Sequence, residues 1–319
     1  MKKAVEFSTA FFSLNILEKL TILGCGSALP ASGRNPTAQV LEHNGKLFLI
    51  DCGEGTQSRL RENKISFDKI THIFISHLHG DHYFGLPGLL SSMHLLGRTK
   101  DLILFGPTGL INILELQFEL GKTFLSFSLK FRPVEKEEEI LSLKGLTVNT
   151  IELNHRLKCF GFIFKEDKKL RRINGLIVKE IGVPHFFMEN LRMGEDYIDN
   201  EGNLYENSNL TLEPKKSHTY AFCSDNRVKS EFFKKLKGVS ILYHEATFLH
   251  KELSRAKKTF HSTAKEAALL AQEIAPDLLI IGHYSARYLS EEPFLEEAKL
   301  IFKRTKASRE KNIFDFSKI

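Results

Sequence analysis

The chain has 319 residues, 42% hydrophobic and 26% charged, a balance that predicts a globular soluble protein of a length one α/β unit can hold. No run approaches ~20 consecutive apolar residues, which argues against a transmembrane helix and a membrane partner. Lys and Arg outnumber Asp and Glu by 45 to 39, and the formal net charge of +6 mildly favours a polyanionic partner.

The first residues, MKKAVEFSTAFFSLNILEKL, place two lysines before apolar residues, but Glu6 and Asn15 interrupt the apolar run and argue against a signal peptide. An upstream translation start accounts for them as well as a leader does, and residues 1–18 read as an N-terminal extension. Strand-like runs follow in KLTILG, AQVLEH and KLFLID, each short, apolar and bounded by Gly, Asn or Asp. GTQSRLRENK reads as a short helix, THIFIS as a strand and Tyr83 to Leu96 as a helix. DLILFGP is a strand stopped by Gly106 and Pro107, and LINILELQFEL has helical apolar spacing. FSLKFRPV, LTVNTIELNH and CFGFIFK read as strands, as do YAFCSD, SILYHEA and LLIIGH. TAKEAALLAQEIA is a helix with Thr263 near its start, and IFDFSKI is a closing strand. The charged stretch 165–217 reads as an excursion from the core without a core of its own.

Strand after strand ends in an acid or a histidine: Asp51, His77, His155, Asp225, Glu245 and His283. Strand ends are where α/β folds assemble their sites. The densest group is HLHGDH, which puts His77, His79, Asp81 and His82 into six residues at a strand-to-helix junction. In an extended segment His77 and His79 point the same way, and Gly80 permits the bend that carries Asp81 and His82 into the helix. Imidazole and carboxylate suit zinc, manganese or ferrous iron, and three unpaired rings beside a core would otherwise be costly. Two adjacent ligand sets suggest two metals, an arrangement suited to phosphoryl chemistry. Isolated histidines are ordinarily structural, so no role falls to His43, His72, His94, His185, His218 or His250. His244, next to Glu245 on a strand, points to the other face. The four cysteines form no CxxC pair and read as buried free thiols of a reducing, cytoplasmic compartment.

HxHxDH is the signature of the metallo-β-lactamase superfamily, which the chain resembles. DCGEGTQ, SHLHGDHYFGLPGLL, FCSDNR, YHEATF, FHST and GHYSARY together are similar to the ribonuclease Z family, tRNA 3′-end processing endonucleases, from about Lys19 onward. The resemblance implies an α/β fold, the αββα four-layer sandwich, with a protruding arm within 165–217 of a single catalytic domain, residues 19–319. It implies two zinc ions per subunit, with manganese as a substitute. One would be held by His77, His79 and His155 and the other by Asp81, His82 and His283. Asp225 would bridge them and Asp51 would support the cluster from behind its ligands.

Asp81 would hold the attacking water and accept its proton. His261 would protonate the leaving 3′-oxygen, and Glu245 would orient that ring and keep it charged. The products would be a 3′-hydroxyl on the tRNA and a 5′-phosphate on the trailer. The family's arm grips the elbow of precursor tRNA, often across a homodimer. That role would give Lys168, Lys169, Arg171 and Arg172 phosphate contacts, and Arg287 would hold a substrate phosphate. Two departures stand out: GVPHFF replaces a Gly-Pro-rich stretch of the arm, and PASGRN has Ser32 where the family pattern has Lys. The second leaves the cut relative to an encoded CCA open. The competing readings are a hydrolase of the same fold acting on a small phosphodiester, and a silent RNA-binding scaffold, against which the intact ligand set speaks.

Overall fold

A computed structural model describes residues 17–319. The readings of residues 1–16, as leader or upstream start, lie outside the described residues. Leu17 and Glu18 already belong to the first strand, Leu17–Gly24. The chain divides into two compact units, one of residues 17–165 with 218–319 and one of Glu166–Ser217.

The larger unit is built on two seven-stranded sheets. The first runs, edge to edge, Ile313–Asp315, Leu17–Gly24, Ala38–His43, Lys46–Ile50, Ile70–Phe74, Leu102–Gly106 and Leu129–Pro133. The second runs Thr305–Ala307, Leu278–Gly282, Ile241–Glu245, Thr219–Cys223, Cys159–Glu166, Leu146–Leu153 and Glu139–Leu143. Alternation along the strands sends successive side chains to opposite faces. Phe48, Ile50 and Phe74 thus join a core with Phe160, Phe162, Phe164 and Phe222 of the second sheet. Leu49, Ile73 and Ile75 pack instead against Leu60, Leu86, Leu90 and Leu110 of helices on the outer face. The Phe74 ring lies 5.3 Å from that of Phe162 and 5.2 Å from that of Phe164, stitching sheet to sheet. On the far side, helix Ala264–Ile274 buries Ala267, Ala268, Leu270 and Ala271 against the second sheet. The layers are helix, sheet, sheet, helix: the metallo-β-lactamase αββα sandwich.

Topology explains why so many strand ends carry chemistry. Lys46–Ile50, Ile70–Phe74 and Leu102–Gly106 are parallel neighbours. Thr219–Cys223, Ile241–Glu245 and Leu278–Gly282 are parallel neighbours in the other sheet. Parallel strands deliver their C-terminal ends to one edge, so residues far apart in sequence meet there. Two of them reverse the chain abruptly: Asp51 has φ 54° and His283 φ 61°, a left-handed conformation that Asp and His tolerate better than most side chains. Such residues cost roughly 1–3 kcal/mol and concentrate at functional sites.

Several expectations need correction. The helix read over 83–96 is two helices, Gly80–Tyr83 and Leu86–Leu95, with Pro87 in the first turn of the second. Gly80 is not needed for a bend, since it takes no left-handed φ. What it gives is space: a Cβ there would lie 2.1 Å from the Phe84 ring, which would have to move aside. Helices Leu253–Thr259 and Glu292–Lys299 and the strands Glu139–Leu143 and Thr305–Ala307 were not foreseen.

The smaller unit also departs from expectation, because it has its own core. Val178, Val183, Leu191, Tyr197 and Leu210 are buried together, with Ile173, Ile177, Phe187 and Tyr205 packed on them. Helices Gly175–Ile181 and Met188–Met193 and the ladder Arg172–Ile173 with Thr211–Leu212 frame this cluster. The high charge of the segment masked a helical apolar spacing in GLIVKEI.

Candidate metal centre

Asp225 sits amid four imidazoles. Its Oδ1 is 3.4 Å from His82 Nε2 and 3.1 Å from His283 Nε2, while its Oδ2 is 3.6 Å from His77 Nε2 and 3.8 Å from His155 Nε2. Asp81 Oδ2 faces His82 Nε2 at 3.6 Å and His283 Nε2 at 3.4 Å. Three overlapping ligand-like groups result among the described residues: His77, His79, His155 and Asp225; Asp81, His82 and His283; and Asp225, His261 and His283. Each expected member of the two sets is therefore at the cluster, with Asp225 between them.

The rings are aimed by what holds their other nitrogens. His82 Nδ1 donates to Asp51 Oδ2 at 2.7 Å, and Asp51 in turn accepts from the Ser76 amide at 2.8 Å and hydroxyl at 3.0 Å. His155 Nδ1 donates to the Phe260 carbonyl at 3.1 Å, which Phe260 presents by taking a left-handed φ of 58°. The Asp81 carboxylate is steadied by the Ala28 amide at 2.7 Å.

The donor set fits a divalent cation. His82 Nε2 is buried without a hydrogen-bond partner, and it points at two carboxylates. Burial opposes a charged His82, yet Asp225, Asp81 and Asp51 together hold its pKa well above the usual histidine value. The site thus favours positive charge at that nitrogen. His77, His79 and His155 are pushed down, chiefly by burial, so they are neutral and able to ligate. Asp225 stays far below the carboxylate range despite burial, because His283, His82 and His261 surround it. Asp81 is likewise lowered against burial, His82 contributing most.

A second constellation adjoins the first. His261 Nδ1 donates to Glu245 Oε1 at 2.8 Å. Burial alone would lower the His261 pKa, but Glu245, then Asp225, raise it to about 9. Glu245 is fixed by the Asn226 amide at 2.7 Å and the Thr247 hydroxyl at 2.5 Å. His261 precedes helix Ala264–Ile274, whose Thr263–Glu266 capping box anchors the chain just after it. His261, His155, His283, Asp81 and Asp225 all line one cavity of about 340 Å³. His244 stays out of it, bonding the Glu245 carbonyl at 2.7 Å and Asn226 at 3.3 Å.

Thr247 was not singled out from the sequence, yet it joins the two constellations. Its Oγ1 accepts from His283 Nδ1 at 3.0 Å and donates to Glu245 Oε2. Thr247→Val should therefore lower kcat by ~10–100-fold with little change in KM, the usual effect of removing an outer hydrogen-bond partner. Thr247→Ser should keep most of the activity, which steady-state kinetics would check.

Arg287 is exposed on a turn closed by the Tyr288 amide donating to the Ser285 carbonyl at 3.1 Å. Arg34, from the PASGRN loop, is buried and donates to the carbonyls of Tyr288 and Leu289, which fastens that turn. In the smaller unit Lys168 is exposed. Lys169 pairs with Glu166 at 2.9 Å, Arg171 with Glu213 at 2.7 Å, and Arg172 donates to the Glu213 carbonyl at 3.0 Å. These three also hold the unit's own fold together.

A family model described as Anti-Pycsar protein Apyc1 matches residues 18–171. Ribonuclease Z of Bacteroides fragilis is 42% identical over 294 residues, 92% of this chain and 97% of the relative. Ribonuclease Z of Cytophaga hutchinsonii is 44% identical over 299 residues, 93% of this chain and 95% of the relative. The chain belongs to the ribonuclease Z family. The crystal structure of the short form of human tRNase Z superimposes with a TM-score of 0.68 at 25% identity, covering 93% of this chain and 98% of that one. A metallo-β-lactamase fold protein of Bacillus subtilis, YhfI, superimposes with a TM-score of 0.67 at 16% identity, covering 94% of this chain and 99% of that one, which speaks for the fold alone. The ribonuclease Z relatives extend past residue 171, over the stretch that carries Asp225, Glu245, His261 and His283.

Proposed function

We propose that the chain is a zinc-dependent endoribonuclease that removes the 3′ trailer of precursor tRNA, leaving a 3′-hydroxyl on the tRNA and a 5′-phosphate on the trailer. The observation that carries this reading is the His261–Glu245 pair, 2.8 Å apart, beside the two His/Asp ligand groups. His77, His79 and His155 would hold one zinc, Asp81, His82 and His283 the other, and Asp225 both; manganese is the expected substitute. Bound there, the ions supply a water of lowered pKa and neutralise charge on the phosphoryl oxygens. Asp81 orients that water and accepts its proton. His261, protonated because of Glu245, gives a proton to the ribose 3′-oxygen, a poor leaving group without one. Glu245 keeps the ring in place through a hydrogen bond to Nδ1, which leaves Nε2 for the transfer.

Lys168, Lys169, Arg171 and Arg172 of the smaller unit would contact backbone phosphates, positioning the RNA without reading its sequence, and Arg287 would hold a phosphate near the metals. The protein would act as a homodimer in the cytoplasm. Among the described residues no helix is long and apolar enough to cross a membrane, and all four cysteines are buried and unpaired, consistent with a reducing compartment.

Incubation with a precursor tRNA bearing a 3′ trailer, followed by mapping of the cut and its ends, tests this reading. Cleavage at the acceptor-stem end that requires metal supports it; an intact precursor in the presence of zinc refutes it. The competing reading is a hydrolase of the same fold acting on a small phosphodiester. Deleting residues 166–217 separates the two. Lys165 and Thr219 are paired across an antiparallel ladder, so a short turn can close the gap. The deletion should raise KM for precursor tRNA and leave hydrolysis of a small chromogenic diester at the parental rate. Equal loss on both substrates would remove the arm from the account of RNA binding.

A further inference from the structure

Helix Gly80–Tyr83 carries Asp81 and His82 into the ligand cluster and ends on Phe84. Phe84 is 63% exposed, although it lines the same cavity as His79, Asp81, His155 and His261. Among the described residues lining that cavity it is the one phenyl ring. The ring is bounded on two sides. It lies against the backbone of Gly80, where any Cβ would sit 2.1 Å from it, and the Tyr83 ring meets it edge-on at 5.1 Å.

A phenyl group offers neither proton nor charge to phosphoryl transfer, so the chemistry of the centre does not account for it. A single exposed phenyl on an open surface needs no explanation, but this one stands in the wall of the cavity that holds the ligand cluster. Its complement is a flat, apolar face, which a phosphate or a ribose lacks and a nucleobase has. Unpaired bases are held in this way throughout single-stranded RNA recognition. Phe84 stands three residues after Asp81, one turn along the same face, so a base on the ring belongs to a nucleotide next to the reacting phosphate.

We propose that Phe84 is a stacking platform for an unpaired nucleobase flanking the scissile phosphate. The inference rests on the reading of the chain as an RNA-cleaving enzyme and adds a subsite to it. Gly80 is part of the device, since its missing side chain lets the ring lie beside the metal ligands.

The test is a double-mutant cycle on precursor tRNA cleavage, pairing Phe84→Ala with an abasic nucleotide on either side of the cut. Phe84→Ala should lower kcat/KM about 5- to 150-fold, the equivalent of ~1–3 kcal/mol of base stacking. Phe84→Tyr should retain the wild-type value, and metal content should be unchanged in both. The abasic site should cost wild type a similar factor and cost Phe84→Ala nothing more. Independent penalties that multiply would overturn the inference while leaving the RNase activity intact. So would a Phe84→Ala protein that cleaves normally, or one whose change is in oligomeric mass alone, which would make Phe84 a protein contact. A wild-type enzyme that leaves the ordinary precursor uncut overturns both readings.

Discussion

Asp225→Ala should strip metal from the centre and reduce turnover far beyond the ~10–100-fold that loss of an outer hydrogen-bond partner costs. Among the described residues no other side chain of the cluster belongs both to the His77–His79–His155 group and to a group with His283. Its two oxygens face different pairs of rings, His82 and His283 on one side and His77 and His155 on the other. Alanine removes the one carboxylate that faces rings of both ligand sets: it leaves His77, His79 and His155 with imidazoles alone, and Asp81 as the remaining carboxylate facing His82 and His283. Asp225→Asn is the sharper variant, because it keeps the volume and loses only the charge and one acceptor. Metal content per chain, measured after dialysis against a weak chelator, should fall in both variants. Asp51→Ala should do less, since it removes bonds behind His82 and to Ser76 but no group of the ligand sets themselves. Full metal retention in Asp225→Asn would show that the bridge is dispensable and that the two sets bind independently.

The parts of this centre legible in the sequence are those that topology cannot hide. HLHGDH is local, and its four side chains meet because they share one strand-to-helix junction. The strand-end rule found Asp51, His155, Asp225, Glu245 and His283, since parallel strands bring their C-terminal ends to one edge. What sequence could not show is the layer behind the ligands. Ser76 and Thr247 are ordinary hydroxyl residues until the folded chain sets them against Asp51, Glu245 and His283. The bond that aims His155 comes from a backbone carbonyl, at a Phe260 whose side chain takes no part in it. The arm's small core escaped for a different reason. Its apolar residues are diluted by charge, and only the helical spacing of Ile177, Val178 and Ile181 betrays a packed face. Gly80 illustrates a third kind of miss: a glycine suggests backbone freedom, but here it leaves room for a neighbouring ring where that ring now lies.

His261→Ala should lower kcat by ~10²–10⁴-fold, the usual worth of a positioned general acid, with metal content unchanged. The geometry admits one rival role, because His261 lies close enough to Asp225 and His283 to join a ligand group with them. Metal analysis of His261→Ala decides between the two: an acid leaves the ions in place, a ligand does not. The pH profile gives a second, independent reading. An acid acts only while protonated, so kcat must fall as pH rises through its pKa. Glu245 is the main group lifting the His261 pKa to about 9 against burial. Glu245→Gln removes that charge, so the alkaline limb of kcat should move to lower pH. Bound cations lower the pKa in both proteins, which shifts both limbs but preserves the direction of the difference. A limb that stays put in Glu245→Gln while kcat falls would mean that Glu245 aims a ring whose proton is not the one transferred. The proton would then come from elsewhere in the cavity, and the bond between Glu245 and His261 would be an anchor for the chain entering helix Ala264–Ile274.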